Sequence, residues 1–183
     1  MKKLILTILM TTTFLFSSNL STLYKLYEKQ EYSKACDYAV KYFNKNKNSE
    51  QYVTLYGLAC LETDKIHRIA TPMLRLKETK DSRENAAYFS TILLQKTLLF
   101  QALIDEVSLT DLHLPTTNFI LSKIFKLYVK KEYVLKDNIY IFMDEQKKEM
   151  KYQLYIEETK KHKKYMIIDI YKDDKFTRRY RYE

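Results

Sequence analysis

The chain has 183 residues and a formal net charge of +9, with 32 Lys and Arg against 23 Asp and Glu, and its single glycine is Gly57. Dinucleotide-binding fingerprints and P-loops need several glycines, because backbone amides must approach a phosphate closely, so these classes are excluded. The glycine count also argues against glycine-rich nucleophile elbows and against tight primed hairpin turns. An apolar content of 46% with only two prolines excludes a Pro/Gly-rich or disordered chain.

The excess of positive charge comes almost entirely from lysine, which supplies 26 of the 32 basic residues. Abundant Lys, Asn, Ile, Tyr and Phe with scarce Gly, Pro and Trp is the amino-acid usage that an AT-rich genome imposes. Phosphate recognition favours Arg, because its planar guanidinium binds two oxygens at once. We therefore expect no nucleic acid partner from the charge alone.

The first 18 residues have the three-part layout of a secretory signal peptide. Lys2 and Lys3 precede an uncharged apolar run, residues 4–16, and small polar residues follow it. The run is shorter than the roughly 20 residues of a spanning helix, although an uncleaved membrane anchor is the alternative. No cysteine lies nearby, which argues against a lipoprotein. We expect a periplasmic or secreted protein that touches the membrane only if the signal stays uncleaved.

Helical spacing of apolar residues predicts a helical domain over residues 19–133. Residues 26–43 carry an aromatic residue, a polar turn and then small residues at helical spacing, and this pattern resembles one tetratricopeptide repeat. The matching positions are Glu31, Tyr32, Ala35 and Ala39. A shift of 35 residues aligns Ala70 with Ala35 as a second copy. The resemblance covers about residues 21–80 and implies an array of antiparallel helix pairs; another kind of helical hairpin array is the alternative.

Two further helices are expected before the period changes. Asp81 with Glu84 three residues later predicts an N-cap and capping box for a helix over about residues 83–105. This helix is apolar on most sides, so we expect it to be central and buried. Pro115 with Thr116 predicts the start of the next helix.

Residues 137–183 change from helical spacing to alternation of apolar and polar side chains, which is typical of half-buried strands. The alternating segments are residues 139–143, 150–157, 165–171 and 175–182. Short polar gaps separate them, so neighbouring strands should pair antiparallel. The predicted fold is α+β, a helix-pair array followed by a four-stranded antiparallel meander.

Cys36 and Cys60 are the only cysteines of the chain. In an oxidising compartment two cysteines tend to pair, and the repeat register places these two on neighbouring helices. A disulfide and two separate buried thiols are both compatible with the sequence. Because no C-x-x-C motif exists, a redox enzyme is not expected.

No set of residues suggests catalysis, a metal site or a cofactor. His67, His113 and His162 lie in different predicted elements and lack metal-ligand spacing. Three acidic pairs fall at predicted strand ends, where solvated carboxylates are ordinary: Asp144 with Glu145, Glu157 with Glu158, and Asp173 with Asp174. We therefore expect a protein that is not an enzyme.

Two surfaces are candidates for binding. If the repeat register holds, four side chains face an inner groove, where helical repeats bind peptide segments: Tyr24, Tyr27, Tyr52 and Leu55. The expected function is then an exported, non-catalytic interaction module for another exported or envelope protein. The alternative is a binder of an anionic surface or polymer, through seven basic residues near the C-terminus: Lys160, Lys161, Lys163, Lys164, Arg178, Arg179 and Arg181. Charges that merely keep a turn and an edge strand soluble explain the same seven residues.

Overall fold

The structure, a computed structural model, describes residues 18–63 and 65–183 and has the α+β class predicted from the sequence. The helices are α1 (Ser18–Glu28), α2 (Tyr32–Asn46), α3 (Glu50–Leu61), α4 (Ala70–Arg75), α5 (Lys80–Asp105) and α6 (Ile120–Val129). The strands are β1 (Val134–Lys136), β2 (Ile139–Met143), β3 (Met150–Glu158), β4 (Lys164–Lys172) and β5 (Lys175–Tyr182). The predicted signal peptide, apart from Ser18, lies outside the described residues.

Helices α1, α2 and α3 pack on one another at the N-terminal end of the fold. Small buried side chains, Ala35 and Ala39 of α2 and Ala59 of α3, allow close helix packing. The structure joins Cys36 and Cys60 in a disulfide between α2 and α3, with Cα atoms 4.8 Å apart. After α3 the chain forms a 3-10 turn, Ile66–Ile69, and then the six-residue α4, so the second helix pair is much less even than the first.

Helix α5 begins earlier than predicted and is less buried. Its N-cap is Thr79, not Asp81, and Ser82 completes a reciprocal capping box with Thr79. The buried residues of α5 form one stripe, whereas Leu94 on another side is 47% exposed. The expectation of a helix buried on all sides was therefore wrong. Among the described residues, α5 alone is long and apolar enough to cross a membrane by length and composition, a criterion that core helices of soluble proteins also meet.

Helix α6 begins at Ile120, five residues after the predicted start at Pro115. Pro115 lies in the connection between α5 and α6, and its carbonyl oxygen accepts a hydrogen bond of 2.9 Å from the side-chain amide of Gln95. The Gln95 carbonyl oxygen in turn accepts a 2.5 Å hydrogen bond from the Ser122 hydroxyl. Gln95 is fully buried in α5, so this polar contact fixes the connection and α6 against α5.

The sheet is a meander of five strands in the order β1-β2-β3-β4-β5, one strand more than predicted. The extra strand, β1, is a three-residue edge strand that pairs with β2 across Asp137 and Asn138. Both turn residues have positive φ, as do Asp173 and Asp174 between β4 and β5. Positive φ at both central positions defines the primed hairpin turn that we expected a glycine-poor chain to lack. That expectation was wrong, because Asp and Asn tolerate the left-handed conformation.

The helices and the sheet share a single hydrophobic core. On the sheet it contains Phe142, Tyr152, Leu154, Met166, Ile168 and Tyr182, which lie on one face by the strand register. These residues belong to the same apolar cluster as Ile124 and Phe125 of α6. The sheet therefore closes the end of the helical part of the chain.

Candidate functional site

A groove of about 820 Å³ opens between α1, α3 and the start of α5. One side of the groove is apolar and comes from α1 and α3: Leu20, Tyr24, Leu55 and Leu58. The opposite side is polar and comes from the first residues of α5 and its cap: Thr79, Asp81, Ser82 and Asn85. The groove is therefore amphipathic across its width, and it lies on the helices that the repeat hypothesis assigned to the inner surface.

The apolar side of the groove follows directly from helical geometry. Leu20 and Tyr24 are four residues apart on α1, and Leu55 and Leu58 are three apart on α3, so each pair occupies one face of its helix. Tyr24 remains 53% exposed. An exposed aromatic ring beside half-buried leucines is a surface on which a partner side chain can be buried.

The structure brings together only two of the four residues predicted for this groove. Tyr24 and Leu55 line it. Tyr27 is absent from the lining and instead packs edge-on against Tyr32, with ring centroids 5.2 Å apart. Tyr52 is completely buried, and its hydroxyl donates a 3.1 Å hydrogen bond to the backbone carbonyl of Ala39. The prediction for Tyr52 was wrong, because this ring fills the contact between α2 and α3 and leaves no surface for a partner.

Glu50, at the start of α3, fixes the polar side of the groove. One carboxylate oxygen accepts hydrogen bonds from the N–H groups of Lys77 and Glu78, at 3.2 and 2.9 Å. The other accepts from the N–H and the hydroxyl of Thr79, at 3.2 and 2.8 Å. A single side chain thus holds the segment before α5 against the start of α3.

Hydrogen bonds make the Glu50 carboxyl unusually acidic. The Ser82 hydroxyl, followed by the N–H of Glu78, favours the charged form most strongly and outweighs partial desolvation. With the Thr79 hydroxyl and the Lys77 N–H, they lower the pKa of Glu50 to about 2. The carboxylate therefore remains charged well below neutral pH.

We expect Glu50→Gln to lower the free energy of unfolding at neutral pH. Because the folded-state pKa lies below the usual value of 4.5, the contribution of the charged form is complete above about pH 4.5 and is lost as the pH falls towards 2. The stability gap between wild type and variant should shrink over that window. Urea unfolding at several pH values measures it, with Glu78→Gln, an exposed neighbour in the same segment, as the control. A gap that does not change with pH would contradict this role of Glu50.

The sequence did not predict the polar side of the groove. Asp81 was identified, but as a helix cap, and Ser82 and Asn85 belong to no motif. Their position depends on the packing of α5 beside α3, which is a contact between residues about 30 positions apart. The spacing of Leu20 with Tyr24 and of Leu55 with Leu58 was the only signal available in advance.

The three arginines proposed for anion binding are engaged within the protein. Arg179 forms a two-point ion pair with the buried carboxylate of Asp169, both contacts being 2.8 Å. Arg181 pairs with Glu157 at 3.2 Å and stacks over the ring of Tyr165. Arg178 lies over the ring of Tyr180 and donates to the backbone carbonyl of Glu62 at 3.4 Å. The prediction of an arginine-rich anion site was wrong, because strand pairing places acidic or aromatic groups beside each guanidinium.

The four lysines of the prediction occupy the hairpin between β3 and β4. All four are exposed, and within the part of the chain that the structure describes none of them forms an ion pair. Between them, His162 pairs with Glu158 at 2.8 Å. The four are Lys160, Lys161, Lys163 and Lys164. They form a local concentration of positive charge, which we call the lysine tip.

One acidic residue that we expected to be solvated is buried. Asp144, at the end of β2, forms an ion pair with Lys123 of α6 and accepts a 2.8 Å hydrogen bond from the Tyr152 hydroxyl. Burial alone would raise the pKa of Asp144, but these partners and two backbone N–H groups lower it to about 2. The ion pair joins α6 to the sheet and is structural. Within residues 18–63 and 65–183, no cluster of three His, Cys, Asp or Glu side chains could hold a metal ion.

A second cavity, of about 620 Å³, lies where the ends of α5 and α6 meet β1 and β2. Tyr128, Tyr133 and Tyr140 line it, and their ring centroids are 4.9 to 5.6 Å apart. Burial raises the pKa of Tyr128, and a hydrogen bond to Tyr140 acts in the same direction. The three rings pack mainly on one another and form part of the contact between helices and sheet.

Comparison with known proteins gives no match: the chain fits no protein-family model, and no curated protein or solved structure is significantly similar to it. The resemblance of residues 21–80 to a tetratricopeptide repeat therefore stays a prediction.

Proposed function

We propose that this protein is an exported, non-catalytic binding module that holds a segment of another exported or envelope protein in the groove between α1, α3 and α5. The observation that carries the proposal is the groove itself. It has a volume of about 820 Å³, an apolar side, a polar side and an exposed tyrosine, Tyr24. A surface of this kind buries partner side chains without needing any reactive group.

Export is supported by two independent features of the chain. The first 18 residues have the layout of a signal peptide. The disulfide between Cys36 and Cys60 is of the kind that persists in an oxidising compartment and is rare in the cytosol.

The groove can be tested by site-specific photo-crosslinking in the exported protein. We expect a photoreactive phenylalanine analogue at Tyr24 to crosslink one defined partner, and Leu58→Asp to abolish that crosslink. The same analogue at Phe176, an exposed aromatic residue on β5, is the matched control and should not capture this partner. Equal capture from both positions, or a crosslink that survives Leu58→Asp, would contradict the assignment of the groove.

The lysine tip supports a second proposal, a binder of an anionic surface or polymer. Four exposed lysines without ion-pair partners among the described residues lie within five positions. Because such binding releases counterions, its affinity falls steeply with salt. The proposal rests on the lysines alone, since the arginines on β5 are engaged within the fold.

Co-sedimentation with anionic phospholipid vesicles separates the two proposals. If the lysine tip binds, sedimentation should be lost when the four lysines become serine, and in wild-type protein when salt rises from about 0.05 to 0.5 M. Arg179→Ser is the control of equal charge per residue on the sheet. Sedimentation that persists in the four-serine variant would exclude the lysine tip.

A further inference from the structure

The charge of the groove opposes that of the protein as a whole. The net charge of the chain is +9, yet the charged residues that line the groove are Glu50 and Asp81, both acidic. A third carboxylate, Glu28, accepts a hydrogen bond from the hydroxyl of Tyr24 at the α1 side. The groove is therefore a local negative site on a positively charged molecule.

Asp81 is the carboxylate best placed to contact a partner. Glu50 already accepts four hydrogen bonds from the segment before α5. Asp81 is exposed, and within the described part of the chain its carboxylate forms no ion pair. It stands on the polar side of the groove, across from Leu55 and Leu58. A partner that fills the groove brings one face onto the leucines and another beside Asp81.

We propose that the occupant of the groove is an amphipathic, basic peptide segment of another protein, with apolar side chains against Leu20, Tyr24, Leu55 and Leu58 and a lysine or arginine beside Asp81. This inference rests on the proposed function and adds the chemical class of the partner. The apolar side chains supply the buried area, and the basic residue supplies orientation, because only one placement of the segment pairs it with Asp81. An acidic segment is disfavoured, since it would place like charges together.

Fluorescence anisotropy with designed peptides tests this class directly on the exported, disulfide-bonded protein. The probes are two labelled 14-residue amphipathic peptides with the same leucine pattern, one with lysine and one with glutamate at its polar positions. A third peptide, with serine in place of every leucine and the lysines kept, reports binding by charge alone. We expect the leucine–lysine peptide to bind at least about tenfold more tightly than the leucine–glutamate peptide, a difference of about 1.4 kcal/mol.

Two variants locate the preference. Asp81→Asn should reduce the preference for lysine, and Asp81→Lys should abolish or reverse it. Asp105→Lys makes the same change of charge at the other end of α5, roughly 36 Å away, and should leave the preference unchanged. Because the overall charge of +9 repels a basic peptide, a preference for lysine in wild type cannot come from net charge. Circular dichroism verifies that each variant is folded.

Three results would overturn the inference: equal or tighter binding of the glutamate peptide, binding of the serine–lysine peptide as tight as that of the leucine–lysine peptide, or an equal effect of Asp105→Lys and Asp81→Lys. These failures are distinct from failure of the proposed function. If photo-crosslinking at Tyr24 still captures a partner, the groove binds a segment of another chemistry. If neither the crosslink nor any peptide is observed, the groove is not the binding site.

Discussion

Replacing Cys36 and Cys60 together by alanine is expected to lower the free energy of unfolding by about 3.5 kcal/mol in the chain-entropy treatment. The bridge joins residues 24 positions apart and so restricts the unfolded chain. For a domain of this size the loss corresponds to a fall of roughly 7–14 °C in the unfolding midpoint. Both sulfur atoms are in fully buried residues, so alanine keeps the site apolar but adds the cost of a small cavity.

Thermal unfolding followed by circular dichroism measures this effect. The matched control is the wild-type protein unfolded in the presence of a strong thiol reductant, which should show most of the same shift. Protein produced in a reducing cytosol without its first 18 residues should unfold at the lower midpoint and recover on oxidation. A double variant as stable as the oxidised wild type would show that the bridge does not stabilise the fold.

Gly57→Ala is expected to destabilise the protein by about 2 kcal/mol, although alanine is the better helix former by about 1 kcal/mol. Gly57 is buried in α3, and a Cβ atom there would overlap the ring of Phe89 in α5, whose Cε1 would be at only 3.2 Å. Phe89 is fully buried, so its ring cannot move aside without disturbing the core. Overpacking of this kind costs typically about 1–3 kcal/mol.

A double-mutant cycle isolates the contact. Shortening the facing side chain with Phe89→Leu destabilises the wild type by leaving a cavity, but should be tolerated better when alanine occupies position 57. We expect a favourable coupling of at least about 1 kcal/mol between the two changes. Urea unfolding of wild type, both single variants and the double variant gives this value. Strictly additive effects would mean that Gly57 is not required for the approach of α3 and α5.

The strands were the part of the fold that the sequence predicted best. Alternation is a local property, and once one face of a sheet is buried a shift by one residue would expose it, so the pattern fixes both extent and facing. Strand β1 was missed, because three residues are too few to show alternation. The two tight turns were missed because the glycine count hid that Asp137, Asn138, Asp173 and Asp174 can adopt positive φ.

The candidate site was half predictable. Tyr24 and Leu55 lie where helical spacing places them, on a surface shared by α1 and α3. Tyr52 has the same residue type as Tyr24, but it points into the contact with α2, and periodicity alone does not distinguish a core face from a groove face. The partners of Arg179 and Arg181 lie on other strands, so only the strand register shows that these guanidinium groups are already paired.

By itself the sequence determined the fold class, the strands and the exclusion of glycine-dependent nucleotide sites, because composition and periodicity are local properties of the chain. Its single glycine was first an argument about absent motifs. The tertiary structure showed where Gly57 is needed, at the close approach of α3 and α5. Only the tertiary structure decided that Asp81 faces Leu55 and Leu58 across one groove and that the basic residues of β5 are paired. Both depend on which distant segments become neighbours, and helix and strand packing determines that only when the whole core forms.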